Sequence, residues 1–150
     1  MQEVKIKKLH QDAIVPTYAT DGSACFDLYA IESDFIVGGN KSIIGTGLSF
    51  EVPECHAMLI FSRSGHGFNH GARLSNCVGV IDSDYRGEVK IKLTLDEEKE
   101  DDVSIDTESA IAQGMIVELP SIELTEVTEE LSETERGAGG FGSTDNASVS

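Results

Sequence analysis

The fold this sequence predicts is an all-β, jelly-roll-like β-barrel carrying a flexible C-terminal tail, and three observations predict it. Apolar runs are short, most of them 4–8 residues long, turn residues punctuate them, and no stretch has a convincing helical period. In order the runs are IKKL, FDLYAI, DFIV, SIIGTGLSFEV, AMLIF, CVGVI, EVKIKLTL, AIAQGMIVEL and SIELTEV. They favour Ile, Val and Phe, residues that fit a pleated, half-buried surface. Gly-Gly at 38–39, Pro53, Asp-Ser-Asp at 82–84 and Pro120 break them. A single short helix is expected between Ser64 and Gly71, in spite of three glycines that disfavour it.

A chain of 150 residues fits one domain. Residues 1–135 are expected to form the barrel and 136–150 a Gly- and Ser-rich arm, RGAGGFGSTDNASVS. With no Trp and 6% aromatic residues, the core must rest on Ile, Val, Leu and Ala.

The formal net charge of −16, from 27 acids against 11 bases, argues against a nucleic-acid or anionic-membrane surface. Any phosphate site must therefore be local, and the four arginines are its scarce resource. Three cysteines without CxxC spacing form neither a disulfide framework nor a zinc cluster. The N-terminus shows no signal-peptide pattern and no run approaches a membrane span, so a soluble cytoplasmic or nuclear protein, not a secreted one, is expected. Between Asp96 and Glu135 lie 15 of the acids, with Lys99 as the one base. A solvated loop explains most of this, and 96–109 is also a possible site for a protein partner.

Five clusters carry chemistry, each beside a plain structural alternative. In ATDGSACFDLYA at 19–30, Asp27 sits in an apolar strand, where it needs either a partner or a metal. FSRSGHGF at 61–68 gathers an arginine, hydroxyls and glycines suited to an anion, or to a solvated turn. NCVGVIDSDYRGEV at 76–89 reads as a β-hairpin with Asp82, Asp84, Tyr85 and Arg86 at its tip. There a carboxylate either serves as general base on water or merely makes the turn. Gln113, in AIAQGMIVEL, needs hydrogen-bond partners from the protein or from a ligand. In the tail, Gly137, Gly139 and Gly142 match GxGxxG, but no strand, helix and second strand can surround them, so a dinucleotide fold is excluded. Arg136 and Phe141 suit a phosphate and a planar base, with Ser143 and Thr144 as donors, and the alternative is a disordered linker.

ATDGSACFDLYA, RSG, NCVGVIDSDYRGE, IAQ and RGAGGFGST follow one another in the order of the five motifs of the trimeric dUTPase family, which the sequence resembles from residue 19 to 144. That resemblance implies a dUTPase-like (β-clip) barrel and a Mg²⁺-dependent hydrolysis of dUTP to dUMP and pyrophosphate, by attack of water at the α-phosphorus. Such an activity keeps uracil out of DNA and supplies dUMP for dTMP synthesis. Carried over residue by residue, Asp82 resembles the catalytic carboxylate that orients water, Tyr85 the ring under the deoxyribose and Asn76 the uracil-reading amide. Asp27 resembles the carboxylate that holds Mg²⁺ through water. Arg63, Ser64, Gly65 and Gln113 look like phosphate contacts. Arg136, Gly142, Ser143 and Thr144 look like a lid on the γ-phosphate, with Phe141 stacked over uracil. The family implies a homotrimer whose sites lie between subunits.

Ser62 stands where Pro is common in the family, Cys25 where Gly is usual, Ala110 where a base is common and Asp145 where a final Gly is common; no matched catalytic side chain is lost. A dCTP deaminase shares this fold but carries a catalytic Glu on the strand after the third motif, where this chain has Lys90 and Lys92. A nucleotide sensor that binds without turnover is the rival from outside enzymology.

Overall fold

The computed structural model describes residues 2–37, 40–95 and 102–140. Among them eleven strands and one helix follow in order: β1 (Lys5–Lys8), β2 (Phe26–Tyr29), β3 (Asp34–Ile36), β4 (Lys41–Gly45), β5 (Leu48–Glu51), β6 (His56–Phe61), α1 (Ser64–His70), β7 (Ala72–Leu74), β8 (Gly79–Ile81), β9 (Lys90–Leu95), β10 (Val103–Ile105) and β11 (Ala110–Glu118). The all-β expectation holds, as does the single short helix. Every ladder is antiparallel. A four-stranded sheet has the order β2-β11-β6-β8, a three-stranded sheet the order β4-β9-β7, and β1-β5 and β3-β10 form two ribbons. No continuous closed barrel runs through these described ladders. The β-sheets instead enclose one core between them, which refines the jelly-roll expectation.

Alternation explains that core. On β4, β9 and β10 every second side chain turns inward, so Ile44, Ile91, Leu93, Val103 and Ile105 are buried, while Lys41, Ile43, Lys90 and Lys92 face out. Leu28, Phe50, Met58, Leu74 and Ile111 fill the space between. Phe26 stacks on Phe50 with ring centroids 6.3 Å apart and meets Tyr18 edge-on at 5.8 Å.

Three sequence expectations are corrected. The segment 76–89 is not a closed hairpin: β8 pairs with β6, whereas β9 pairs with β4 and β7, so residues 82–89 cross from one sheet to the other. Each arm finds its ladder partner on a strand distant in sequence, and a cavity lies between them. SIELTEV forms no strand; Ile122 and Leu124 are 72% and 93% exposed, and an extended segment without a neighbouring strand has no ladder to join. The last strand therefore ends at Glu118, and 119–135 lies on the outside. Within the acidic stretch 96–109, residues 96–101 lie outside those described, but Val103–Ile105 is not loop: it pairs with β3 and buries Val103 and Ile105. None of the described helices is long and apolar enough to cross a membrane.

The helix α1 owes little to burial, since none of its residues is buried and Phe68 is 91% exposed. It ends where Gly71 takes a left-handed conformation and donates to the Gly67 carbonyl at 3.0 Å. His66 is half-buried, and its Nδ1 is sheltered with no hydrogen-bond partner among the described residues. Burial, with the Arg63 guanidinium and His70 nearby, holds its imidazole below the ordinary value.

Two expected outcomes follow from this packing. Gly114 faces Phe26 across the β2-β11 ladder, and a Cβ there would lie 2.6 Å from Phe26 Cε2 and 2.8 Å from Cζ. Gly114→Ala should therefore push the ring out of its place and cost roughly 1–3 kcal/mol, read as a lower denaturant midpoint. For His66, the unfolded chain takes up a proton that the folded state disfavours. Stability is thus lost as pH falls through the ordinary imidazole range of about 6.5 and below, and not above it. Melting curves taken at about pH 7.5 and about pH 5.5 should show a smaller acid shift for His66→Gln than for the parent. Equal shifts would mean that His66 does not carry the effect.

Candidate active site

The four-stranded sheet brings three of the sequence-predicted residues into one row. Asp27 on β2 lies opposite Gln113 on β11, and Gln113 lies opposite Phe61, the last residue of β6. The chain leaves β6 through Ser62 and Arg63 into α1. Arg63 Nε donates to Asp27 Oδ1 at 3.0 Å and Nη1 donates to the Ala110 carbonyl at 3.1 Å. Gln113 Nε2 donates to the Ser62 carbonyl at 2.9 Å, and Ser62 Oγ accepts from the Leu74 amide at 2.9 Å. The charge in an apolar strand has thus found its partner: Asp27 is paired with Arg63, their side chains 26% and 34% exposed. Ser64 and Gly65 open α1 directly beyond the arginine and are exposed.

Arg63, Ser64 and Gln113 lie at one end of the sheet, a guanidinium, a hydroxyl and an amide of the kinds that an anion site uses. Asp27 supplies one hard oxygen donor group. Among the described residues no group of three His, Cys, Asp or Glu side chains could cage a metal ion. A single partly exposed carboxylate fits a cation that keeps most of its water and takes its other ligands from phosphates, as Mg²⁺ does.

A second cluster lies elsewhere on the molecule. Between β8 and β9 is a cavity of about 360 Å³, lined by Ile60, Leu74, Asn76, Gly79, Ile81 and Lys90 among others. The β7-β9 ladder ends at Leu74↔Leu93, followed by a Ser75 amide donating to the Lys92 carbonyl at 2.8 Å, so the strands part where the cavity opens. Asn76 is exposed in the turn after β7. Beyond β8, Asp82 and Tyr85 occupy the crossing loop, both exposed. The Tyr85 amide donates to the Asp82 carbonyl at 3.2 Å, and Arg86 Nη1 donates to the carbonyls of Ser83 and Tyr85 at 2.6 and 3.1 Å. The loop is therefore shaped by its own arginine, which explains Arg86 without a ligand.

The two clusters are well apart within one chain. Asp27 is separated from β8 by three strand-to-strand steps, about 14 Å. Asp82 follows Ile81, which pairs with Met58, three residues back along β6 from Phe61 and thus about 10 Å further along the strands. In the tail, Arg136 donates to the Gly139 carbonyl at 2.9 Å within its own exposed turn. Phe141, Gly142, Ser143 and Thr144 lie outside the described residues.

Sequence reasoning missed the residues that act through position. The Ala110 carbonyl orients Arg63, and a backbone carbonyl has no residue type to signal it; the Ser62 hydroxyl, read in the sequence as one of a set of anion donors, instead ties the segment before α1 to β7. Ile60 and Gly79, which line the cavity, read only as ordinary strand residues.

Known proteins bear on this geometry. The dUTPase family profile matches residues 11–145. A deoxyuridine 5′-triphosphate nucleotidohydrolase of Nautilia profundicola is 48% identical over 142 residues, covering 95% of this chain and 98% of that protein. Its counterpart in Wolinella succinogenes is 43% identical over 143 residues, covering 95% and 93%. Among solved structures, the dUTPase of Staphylococcus bacteriophage 80alpha with dUpNHpp superposes with a TM-score of 0.87 at 26% identity, covering 95% of this chain and 98% of that one. A profile spanning nearly the whole chain, relatives of matching length and a shared fold agree with the order of the five motifs, and the chain belongs to the dUTPase family.

Proposed function

We propose that this chain hydrolyses dUTP to dUMP and pyrophosphate. One observation carries the reading beyond family membership: a cavity between β8 and β9 is lined by Asn76 and Ile81, and the chain runs from Ile81 straight into a loop bearing Asp82 and Tyr85. Uracil is planar, and a pocket of this size between two strand edges suits it, with the Asn76 amide reading its polar edge. The Tyr85 ring packs beneath the deoxyribose, where a 2′-hydroxyl would be crowded and unpaired. Asp82 accepts a proton from water as the water oxygen attacks the α-phosphorus. A new P–O bond forms, the bond to the bridging oxygen breaks, and pyrophosphate leaves.

Positioning and neutralisation of charge supply the rate. Arg63, Ser64, Gly65 and Gln113 hold phosphate oxygens, and Asp27 is the residue that would hold Mg²⁺ through water. When bound, the ion adds positive charge to the triphosphate that a chain of net charge −16 does not otherwise provide. Arg136, Gly142, Ser143 and Thr144 close on the γ-phosphate while Phe141 covers the base, excluding water.

We also propose that the active form is a homotrimer with shared sites. Asp27 and Asp82 must both approach one triphosphate, yet the sheet separates them by three strands sideways and several residues lengthwise, roughly 15–20 Å in one chain. A second copy that brings its own β8-β9 cleft to the Arg63 row resolves the conflict. The exposed Ile122, Leu124 and Leu131 on 119–135 support a strap that lies on a neighbouring copy.

The direct assay is pyrophosphate release from dUTP, UTP and the four common deoxynucleotides, with dUTP expected as the preferred substrate; binding of dUTP without turnover would favour the sensor. Asp82→Asn should lose ~10²–10⁴-fold in turnover while retaining nucleotide binding, as measured by titration with a non-hydrolysable analogue. Near-normal turnover would return Asp82 to a turn residue. Sharing of sites is tested by mixing Asp82→Asn chains with chains stopped after Glu135, each nearly inactive alone. Where cleft and arm come from different subunits, roughly one quarter of sites in random mixtures regain both parts. No recovery in mixed oligomers confirmed by mass would place each arm on its own subunit.

A further inference from the structure

The crossing loop holds Tyr85 in a way that its exposure alone does not reveal. Tyr85 Oη donates to the Glu88 carbonyl at 3.0 Å, so the ring folds back over Gly87, the second of the two residues between them. A Cβ on Gly87 would overlap Oη and stand 2.6 Å from Cζ and 3.0 Å from Cε2. Gly87 does not have a positive φ, unlike Gly47, Gly71 and Gly137. Its backbone would accept any residue, and what the position needs is the empty space above it.

The floor beneath the ring is rigid. On one side of Gly87, the Arg86 carbonyl accepts from Ser49 Oγ at 2.7 Å. On the other, the Val89 amide donates to the Leu48 carbonyl at 2.9 Å, and Glu88 Oε1 accepts from the Gly47 amide at 3.0 Å. These bonds pin residues 86–89 to the β4-β5 corner. The ring is 44% exposed: Gly87 and Glu88 cover part of it, and the rest is open to a ligand.

We infer that Gly87 is a positioning residue for sugar selection, its missing Cβ seating the Tyr85 ring where it can meet a deoxyribose. This rests on the reading of Tyr85 as the residue under the sugar. A methyl group at position 87 meets a rigid backbone below and the far end of an exposed side chain above, so the ring is what yields. The side chain rotates away, the bond to the Glu88 carbonyl is lost, and the fold is left nearly untouched.

The experiment measures kcat/KM for dUTP and UTP in the parent, Gly87→Ala, Tyr85→Ala, the double variant and Tyr85→Phe. Gly87→Ala should lower the dUTP/UTP ratio by roughly tenfold or more, approaching Tyr85→Ala, with little change in melting temperature. In the Tyr85→Ala background the same substitution should change nothing further, because there is no ring left to displace. Tyr85→Phe, which keeps the ring seated on Gly87, should retain most of the selectivity. The inference is overturned if Gly87→Ala keeps the parental ratio, or if it shifts the ratio equally with and without the Tyr85 ring. Should Gly87→Ala fail to fold while the double variant folds, the clash with the ring is upheld; failure of both would assign Gly87 a purely backbone role and overturn it. An unchanged ratio in Tyr85→Ala would instead remove the underlying reading of Tyr85.

Discussion

Arg63 leaves β6 where β11 and β2 lie alongside, and its guanidinium donates to Asp27 on one neighbour and to the Ala110 carbonyl at the start of the other. A charged pair at the end of an apolar sheet must satisfy itself locally, and this one does so by spanning three strands. With about a third of the arginine side chain still exposed, the pair adds little net stability. Its consequence is orientation: a guanidinium held at two points presents its remaining donors in a fixed direction. Gln113 reinforces this from the central strand by donating to the Ser62 carbonyl, the residue just before Arg63. This end of the sheet is thus ordered by protein contacts alone.

Strand order then decides what this end can do alone. Because β8 lies at the far edge of the same sheet, the cleft lined by Asn76 and the loop bearing Asp82 and Tyr85 are held away from Asp27 by the width of β11 and β6. Sliding along the ladders cannot close a sideways gap, and a strand cannot leave its place in the order without losing its backbone hydrogen-bond partners. The proposed sharing of sites between copies starts from this separation and from the exposed apolar side chains of 119–135.

The crossing loop shows the complementary principle. Residues 82–89 have no ladder of their own, yet their carbonyls are claimed by Arg86, Ser49, Tyr85 and Thr46, so the loop is as determined as a strand. Loops that carry function on a rigid scaffold tend to be stabilised in this manner. Tyr85 is held there by its backbone neighbours alone.

Much of this protein was legible in its residues. The short alternating runs specify an all-β chain because period-2 burial is a local property of strands, and the five clusters in order identify the family because their side chains are themselves the chemistry. The brief helix between Ser64 and Gly71 was expected in spite of its three glycines, and the structure shows one of them, Gly71, ending it in a left-handed conformation. Pairing was not: CVGVI and EVKIKLTL read as two arms of a hairpin, but β8 and β9 belong to different sheets, since ladder partners are chosen by long-range packing that no local pattern encodes. SIELTEV has strand composition and no strand, because a ladder needs a neighbour and this chain offers it none. In the same way Val103–Ile105 hid among acids until β3 gave it a partner. The sequence by itself determined which residue types could bind a nucleotide; only the tertiary structure decided that Arg63 pairs with Asp27, that Gly87 leaves room for the Tyr85 ring, and that Asp27 and the strand leading to Asp82 lie on opposite edges of one sheet, because each depends on packing and not on a local pattern.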